Sequence, residues 1–168
     1  GELALKPGWP SMMKAIWKDK ERYKGYFRNG WFLTGDIVIK DEEGYYYYHG
    51  RNDDLIKLGE GFVGPYDLEQ ILCTHPAVAE ATVISKSLGA DEMGMKAFVK
   101  LNRRFIPSRR LNNEICDFVK NNFSSDLLTF EIDFVNDLPK TLSGKLLRRV
   151  LRAWDFGLPS GDLTSLKE

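Results

Sequence analysis

Cysteine is nearly absent from the 168-residue chain: Cys73 and Cys116 are the only two. One pair cannot build the disulfide framework that small secreted folds depend on, so a reducing, cytoplasmic setting is expected. Histidine is as scarce, with His49 and His75 far apart and no Cys/His spacing that matches a metal site, so no metal ligands are assigned. Excess charge of either sign is lacking too, because 24 Lys+Arg face 24 Asp+Glu. General nucleic-acid binding needs a basic surplus to attract phosphate, and none exists. No apolar run approaches the ~18 residues of a membrane span. There is neither an internal repeat nor a low-complexity tract. What remains is 43% hydrophobic and 29% charged, which excludes disorder, collagen and coiled coil. A chain of this length can bury a core of its own.

Two regions differ in texture. Residues 1–52 are rich in glycine and aromatics and poor in helical periodicity. GELALK alternates like a half-buried strand, and a short helix fits KDKERYKGYF. Trp31–Lys40 and Tyr45–His49 form a hairpin pattern around a turn at Asp41–Gly44. The chain opens on Gly1 and runs straight into a strand pattern, so this region is expected to be the β-rich remnant of a larger domain. From 53 to 168 the pattern alternates β and α. Pro65 suits the first turn of a helix bearing Leu68, Ile71 and Leu72, and strands are expected at 79–85 and 96–101, with a loop containing Gly89 and Gly94 between them. Leu111, Ile115, Phe118, Val119 and Phe123 mark an amphipathic helix. A strand is expected at 132–138, then a last helix starting near Ser143, with Leu146, Leu147, Val150, Leu151 and Trp154 on its apolar face. The expected fold is α+β: a small C-terminal domain with a short mixed sheet flanked by helices.

Four segments carry chemistry in combination: GWFLTGD (30–36), GRNDDLIK (50–57), LGEGFVGP (58–65) and DLPKTLSGKLLRR (137–149). Each alone has an ordinary structural account, as a strand kink, a polar turn, a flexible loop or a capped helix. Together they place Asp36 at the close of one strand and Arg51 at the close of its hairpin partner. A carboxylate there accepts both hydroxyls of a ribose, and a guanidinium donates to the same oxygens. Lys145 is expected on a glycine-flexible loop at a helix N-terminus, where an ammonium can bridge a phosphate and a carboxylate. The chemistry suggested is nucleotide binding with phosphoryl or adenylyl transfer. Of the Tyr45–Tyr48 run, Tyr48 is nearest Arg51 and is the one placed to touch adenine or ribose, although ordinary sheet packing is the favoured account of the run. Lys145, Arg148, Arg149 and Arg152 read as a basic helix face. Both cysteines and both histidines are expected to be structural.

The order and spacing of these segments resemble the adenylate-forming superfamily: acyl-CoA synthetases, peptide-synthetase adenylation domains and firefly luciferase. The opening LALKPGWPSMMKAIWKDKERYKGYF and closing GLPSGDLTSLKE are similar to the acetyl- and short-chain acyl-CoA synthetase branch. The resemblance implies that Asp36 and Arg51 bind the ATP ribose, that Asp53 is a hinge, and that Lys145 is the adenylation lysine. It implies that the loop of Gly59, Glu60, Gly61 and Phe62 approaches CoA. It also implies ATP with Mg2+, CoA as co-substrate, a small carboxylate such as acetate, and a large N-terminal domain as partner. That larger domain would carry the phosphate-cradling loop and acyl pocket, so this chain alone is expected to be inactive. The sequence departs from the family pattern at Glu60-Gly61-Phe62, where Gly-x-Arg is usual. It departs again at Ser124-Ser125 and Thr129-Phe130, where Gly-Pro and Pro-Arg are common. Two alternatives follow: an adenylating enzyme with an acceptor other than CoA, or a non-catalytic nucleotide- or protein-interaction module.

Overall fold

A computed structural model describes residues 1–58, 61–89, 92–123 and 130–157. It divides into two compact units, Gly1–Leu55 and Ile56–Glu168. The first contains β1 (Glu2–Leu5), α1 (Lys20–Gly25), β2 (Phe27–Arg28), β3 (Trp31–Lys40) and β4 (Tyr46–Arg51), followed by a 3-10 turn at Asn52–Asp54. Asp19 caps α1 by accepting the Arg22 N–H at 3.0 Å. β3 is the spine of a four-stranded antiparallel sheet. It pairs with β1 along one edge and with β2 and β4 along the other, so that Ile37 lies between Glu2 and Gly50. The β3–β4 turn forms because Asp41 Oδ1 accepts the Tyr45 N–H at 2.8 Å and Gly44 takes a φ of +95°. Tyr45, Tyr46, Tyr47 and Tyr48 are all 50–64% exposed. Packing on alternate faces, the ordinary account of a tyrosine run, therefore does not describe them.

The second unit contains a short antiparallel pair, β5 (Ile56–Leu58) and β6 (Gly61–Val63), then α2 (Pro65–Thr74), β7 (Val78–Gly89), β8 (Glu92–Leu101), α3 (Arg109–Asn122), β9 (Phe130–Phe134) and α4 (Arg148–Asp155). Its main sheet runs β7-β8-β9, antiparallel then parallel, which is the mixed sheet expected from sequence. Alternation along the strands sorts the side chains into two cores. Val83, Ala97, Val99 and Ile132 join Leu68 and Leu72 of α2 and Leu111, Ile115 and Val119 of α3. Ile84 and Phe98 face the other way, onto Leu138 and Leu151 of the α4 side. Pro65 stands at the start of α2, and Ser108 caps α3 by accepting the Leu111 N–H at 3.2 Å. No helix among the described residues is long and apolar enough to cross a membrane.

Several local expectations are corrected. β7 and β8 are longer than the alternating segments, and Gly94, expected in a loop, pairs with Lys86 inside the ladder. β9 ends at Phe134, four residues short of the expected strand end. Cys73 is exposed rather than packed, whereas Cys116 is half-buried. His75 is structural as expected. It is buried, accepts the Ala77 N–H at 3.2 Å, and lies edge-on to Phe118 at 4.9 Å. α4 begins at Arg148, not near Ser143, and Trp154, expected on its apolar face, is half exposed.

The far end of α4 is held to the sheet by charge. Lys96 Nζ on β8 lies 2.6 Å from Asp155 Oδ1 and 2.8 Å from Asp133 Oδ2, and the Asp155 side chain is only 4% exposed. Burial alone would lower the lysine pKa, but the hydrogen bonds to Asp133 and Asp155 outweigh it and hold the group above its usual range. A raised lysine pKa stabilises the fold below the ordinary value of about 10.4, and the contribution is lost as pH rises through the higher folded value. Lys96→Met leaves Asp155 buried without its cation, and a loss of about 3–5 kcal/mol is expected in urea unfolding at pH 7. The gap between the two proteins should narrow in strongly alkaline solution, as Lys96 loses its charge.

Candidate functional site

Asp36 and Arg51 face each other across the β3–β4 ladder. Asp36 does not close its strand as expected. It lies inside β3, which continues to Lys40 because its last residues pair with β4. What the sequence marked as an end is a bend: Gly35 has a φ of +75°, and the ladder shifts register between Ile37 and Val38. The Thr34 hydroxyl accepts the Asp36 N–H at 3.1 Å and donates to the Leu3 carbonyl at 3.1 Å, fixing that bend.

Arg51 is turned inward across it. Its Nη1 donates to the Thr34 carbonyl at 2.8 Å and to Asp36 Oδ1 at 3.0 Å, and its Nε donates to Asp53 Oδ1 at 3.1 Å. Burial would lower the guanidinium pKa, but the bonds to the two aspartates raise it, so Arg51 stays charged throughout the working range. Gly35 makes this posture possible, since a Cβ there would meet Arg51 Nη2 at 2.6 Å. The structure thus brings together Asp36, Arg51 and Asp53. Arg51 commits its Nε and Nη1 to protein acceptors and orients Asp36, whose side chain remains one-third exposed. Tyr48 pairs with Val38 on the same ladder.

The remaining candidates belong to the second unit. Lys145 is exposed on a tight turn that precedes α4. Lys140 and Leu146 bridge as antiparallel residues, and Leu147 N–H donates to the Pro139 carbonyl at 2.9 Å. Within the turn Thr141 N–H donates to the Lys145 carbonyl at 2.9 Å, while Lys145 N–H donates to Thr141 Oγ1 at 3.0 Å. Gly144 supplies a φ of +86°. The expected helix N-terminus at Lys145 is therefore corrected. Thr141, Ser143 and Gly144 make a hairpin turn, and α4 starts three residues after Lys145 with Leu147 as an N-cap that lacks a side-chain bond. The backbone of Lys145 is fixed by the turn rather than by a helix dipole.

The expected basic helix face is corrected as well. Lys145 lies outside the helix, and Arg148 points at a carboxylate, Glu69, from 2.7 Å. Sequence reasoning passed over Glu69. It closes the GPYDLE segment at 64–69, but its partner is 79 positions away, so no local pattern announces the pairing. Phe62 on β6 is 67% exposed, and Gly61 opens that strand. Gly59, Glu60, Ser124, Ser125, Thr129 and most of GLPSGDLTSLKE lie outside the described residues. Among the described residues no group of three or more His, Cys, Asp and Glu gathers as a metal site.

Comparison with known proteins bears on the whole chain. The AMP-binding enzyme C-terminal domain family matches residues 67–145. The acetyl-coenzyme A synthetase of Bacillus subtilis (strain 168) is 46% identical over 169 residues, which is all of this chain and 30% of that protein. The acetyl-coenzyme A synthetase of Pyrobaculum aerophilum is 40% identical over 171 residues, all of this chain and 26% of its own length. Among solved structures, the ATP-bound RpMatB-BxBclM chimera B1 superposes with a TM-score of 0.77 and 36% identity, over 84% of this chain and 28% of the chimera. The chain thus spans less than one-third of the curated relatives it matches.

Gly35→Ala is expected to expel the Arg51 guanidinium. A left-handed alanine costs about 1–2 kcal/mol before any clash is counted. The first unit should unfold at lower urea, with amide NMR signals of Asp36, Arg51 and Asp53 displaced and those of β8 unmoved.

Proposed function

Because the chain belongs to the adenylate-forming superfamily, as its AMP-binding C-terminal domain, we propose that it serves an ATP-dependent acyl-CoA synthetase acting on acetate or another short-chain acid. The observation that carries this is the 46% identity to an acetyl-coenzyme A synthetase along the entire chain. In the first half-reaction the carboxylate oxygen attacks the α-phosphorus of ATP, giving acyl-AMP and releasing pyrophosphate. In the second, the CoA thiol attacks the acyl carbon, giving the thioester and AMP while the thiol proton leaves.

The residues divide this work as follows. Asp36 accepts the ribose hydroxyls, and Arg51, bonded to its Oδ1, holds it in place. Lys145 carries a positive charge on a rigid turn, suited to holding the incoming carboxylate against the α-phosphate as negative charge shifts to the leaving group. Asp53, in the 3-10 turn just before the division at Leu55, is the hinge on which the second unit reorients between half-reactions. Mg2+ would be held mainly by the large N-terminal domain and by the phosphates of ATP. The proposed domain boundary is 52–53, three residues before the division after Leu55, and the proposed partner is a large domain bearing the phosphate loop and acyl pocket. Two free thiols support a cytoplasmic setting.

Transfer to an acceptor other than CoA is the second reading, favoured by the exposed Phe62 where the family usually has arginine. Supplying acyl-adenylate with and without CoA separates the two. Acetate-dependent pyrophosphate exchange should be undetectable with this chain alone, and robust turnover would overturn its dependence on a larger domain. Once the chain is joined to the large domain of its relatives, Lys145→Ala should lower that exchange by about 10²–10³-fold. Thioester formation from preformed acyl-adenylate should be spared.

A further inference from the structure

Glu69 is an unusual carboxylate. It is 7% exposed, yet it is bonded on all sides. Its Oε1 accepts the Thr82 hydroxyl at 2.9 Å and the Val83 N–H at 2.8 Å, and Arg148 Nη2 lies 2.7 Å from both of its oxygens. With Glu69 itself, these residues come from three elements. Glu69 is on α2, which packs on one face of the sheet. Thr82 and Val83 are on the edge strand β7, and Arg148 is the first residue of α4 on the opposite face. One carboxylate therefore reaches round the sheet edge and ties the two helical layers together.

Arg148 follows Lys145 by three residues. The other leg of the Lys145 turn is staked in the same region, where the Lys140 ammonium bonds the Glu80 carboxylate of β7. A buried ion pair contributes little net stability over apolar residues of the same shape, because desolvation offsets attraction. What it supplies is a single permitted arrangement. A lysine ammonium on a flexible four-carbon stem gains most from a fixed backbone, since small misplacements of a reacting group cost rate steeply.

We propose that Glu69 is a positioning residue for Lys145, acting through Arg148 to set the 140–147 turn relative to the sheet. This rests on the adenylation role assigned above to Lys145, but its structural half can be tested apart from that role. Glu69→Gln keeps an acceptor for Thr82 and Val83 while removing the charge that Arg148 needs. Arg148→Lys keeps the charge and removes the guanidinium, and it stands in should the first variant fold poorly.

Hydrogen exchange on the chain itself reads the turn. The amides of Thr141, Lys145 and Leu147 should exchange about 10- to 100-fold faster in either variant, the range supported by one charge-assisted hydrogen bond. Ala97 and Val99 in β8 should keep their protection, and the double variant should add little to either single. Unchanged turn amides, or turn and β8 amides rising together, would overturn the proposal. In the enzyme joined to its large domain, Glu69→Gln should slow pyrophosphate exchange by at least about tenfold while transfer from supplied acyl-adenylate stays intact. Equal slowing of both halves marks a merely structural role and also overturns it. If Lys145→Ala retains adenylation, the assignment of Lys145 fails, and the exchange data still decide whether Glu69 holds the turn.

Discussion

A helix of eight residues does not hold itself together in water, so α4 exists only because something outside it makes it exist. Val150 and Leu151 are fully buried, and each end of the helix is pinned by an ion pair that crosses to another element: Arg148 to Glu69 at the start, Asp155 to Lys96 at the finish. The apolar contacts give α4 a reason to lie on the sheet, while the pairs decide where along the sheet it stops. The position of the Lys145 turn is inherited from that decision. So is the covering of Ile84 and Phe98, which would otherwise face water.

Balanced composition takes on structural meaning here. On β7 and β8 of the second unit three lysines are paired: Lys86 with Glu131, Lys96 with Asp133 and Asp155, and Lys100 with Asp137 and Glu80. Asp137, bonded by Lys100 and by the Leu138 N–H, is held below the usual carboxylate range. With so many charges committed internally, recognition of an anion depends on a few residues kept available, rather than on a diffuse field.

Much of the architecture was legible from periodicity. Val83 and Ile84 alternate because the sheet is covered on both faces, and Leu111, Ile115 and Val119 repeat because α3 is covered on one. Ser108 caps its helix, whereas Ser143, read as a helix start, does not, although both are serines ahead of an apolar periodic stretch. The difference lies in non-local bonds, since the Lys140–Leu146 bridge commits Ser143 and Gly144 to a turn first. In the candidate site the pairing of Asp36 with Arg51 followed from the hairpin, but the inward posture of Arg51 depends on Gly35 lacking a side chain. Glu69 was invisible for the opposite reason, a buried charge whose partner is far along the chain.

The bond from Val83 to Glu69 also bears on how the molecule meets copies of itself. β7 is a twelve-residue strand at the margin of its sheet, with no strand paired to its outer side among the described residues. Free backbone donors on such a margin are a template on which a foreign strand can align and start an aggregate. By occupying the Val83 donor and bringing a charged cluster to that border, Glu69 blunts the template. The same side chain that joins the two helical layers thereby also covers part of the sheet's border.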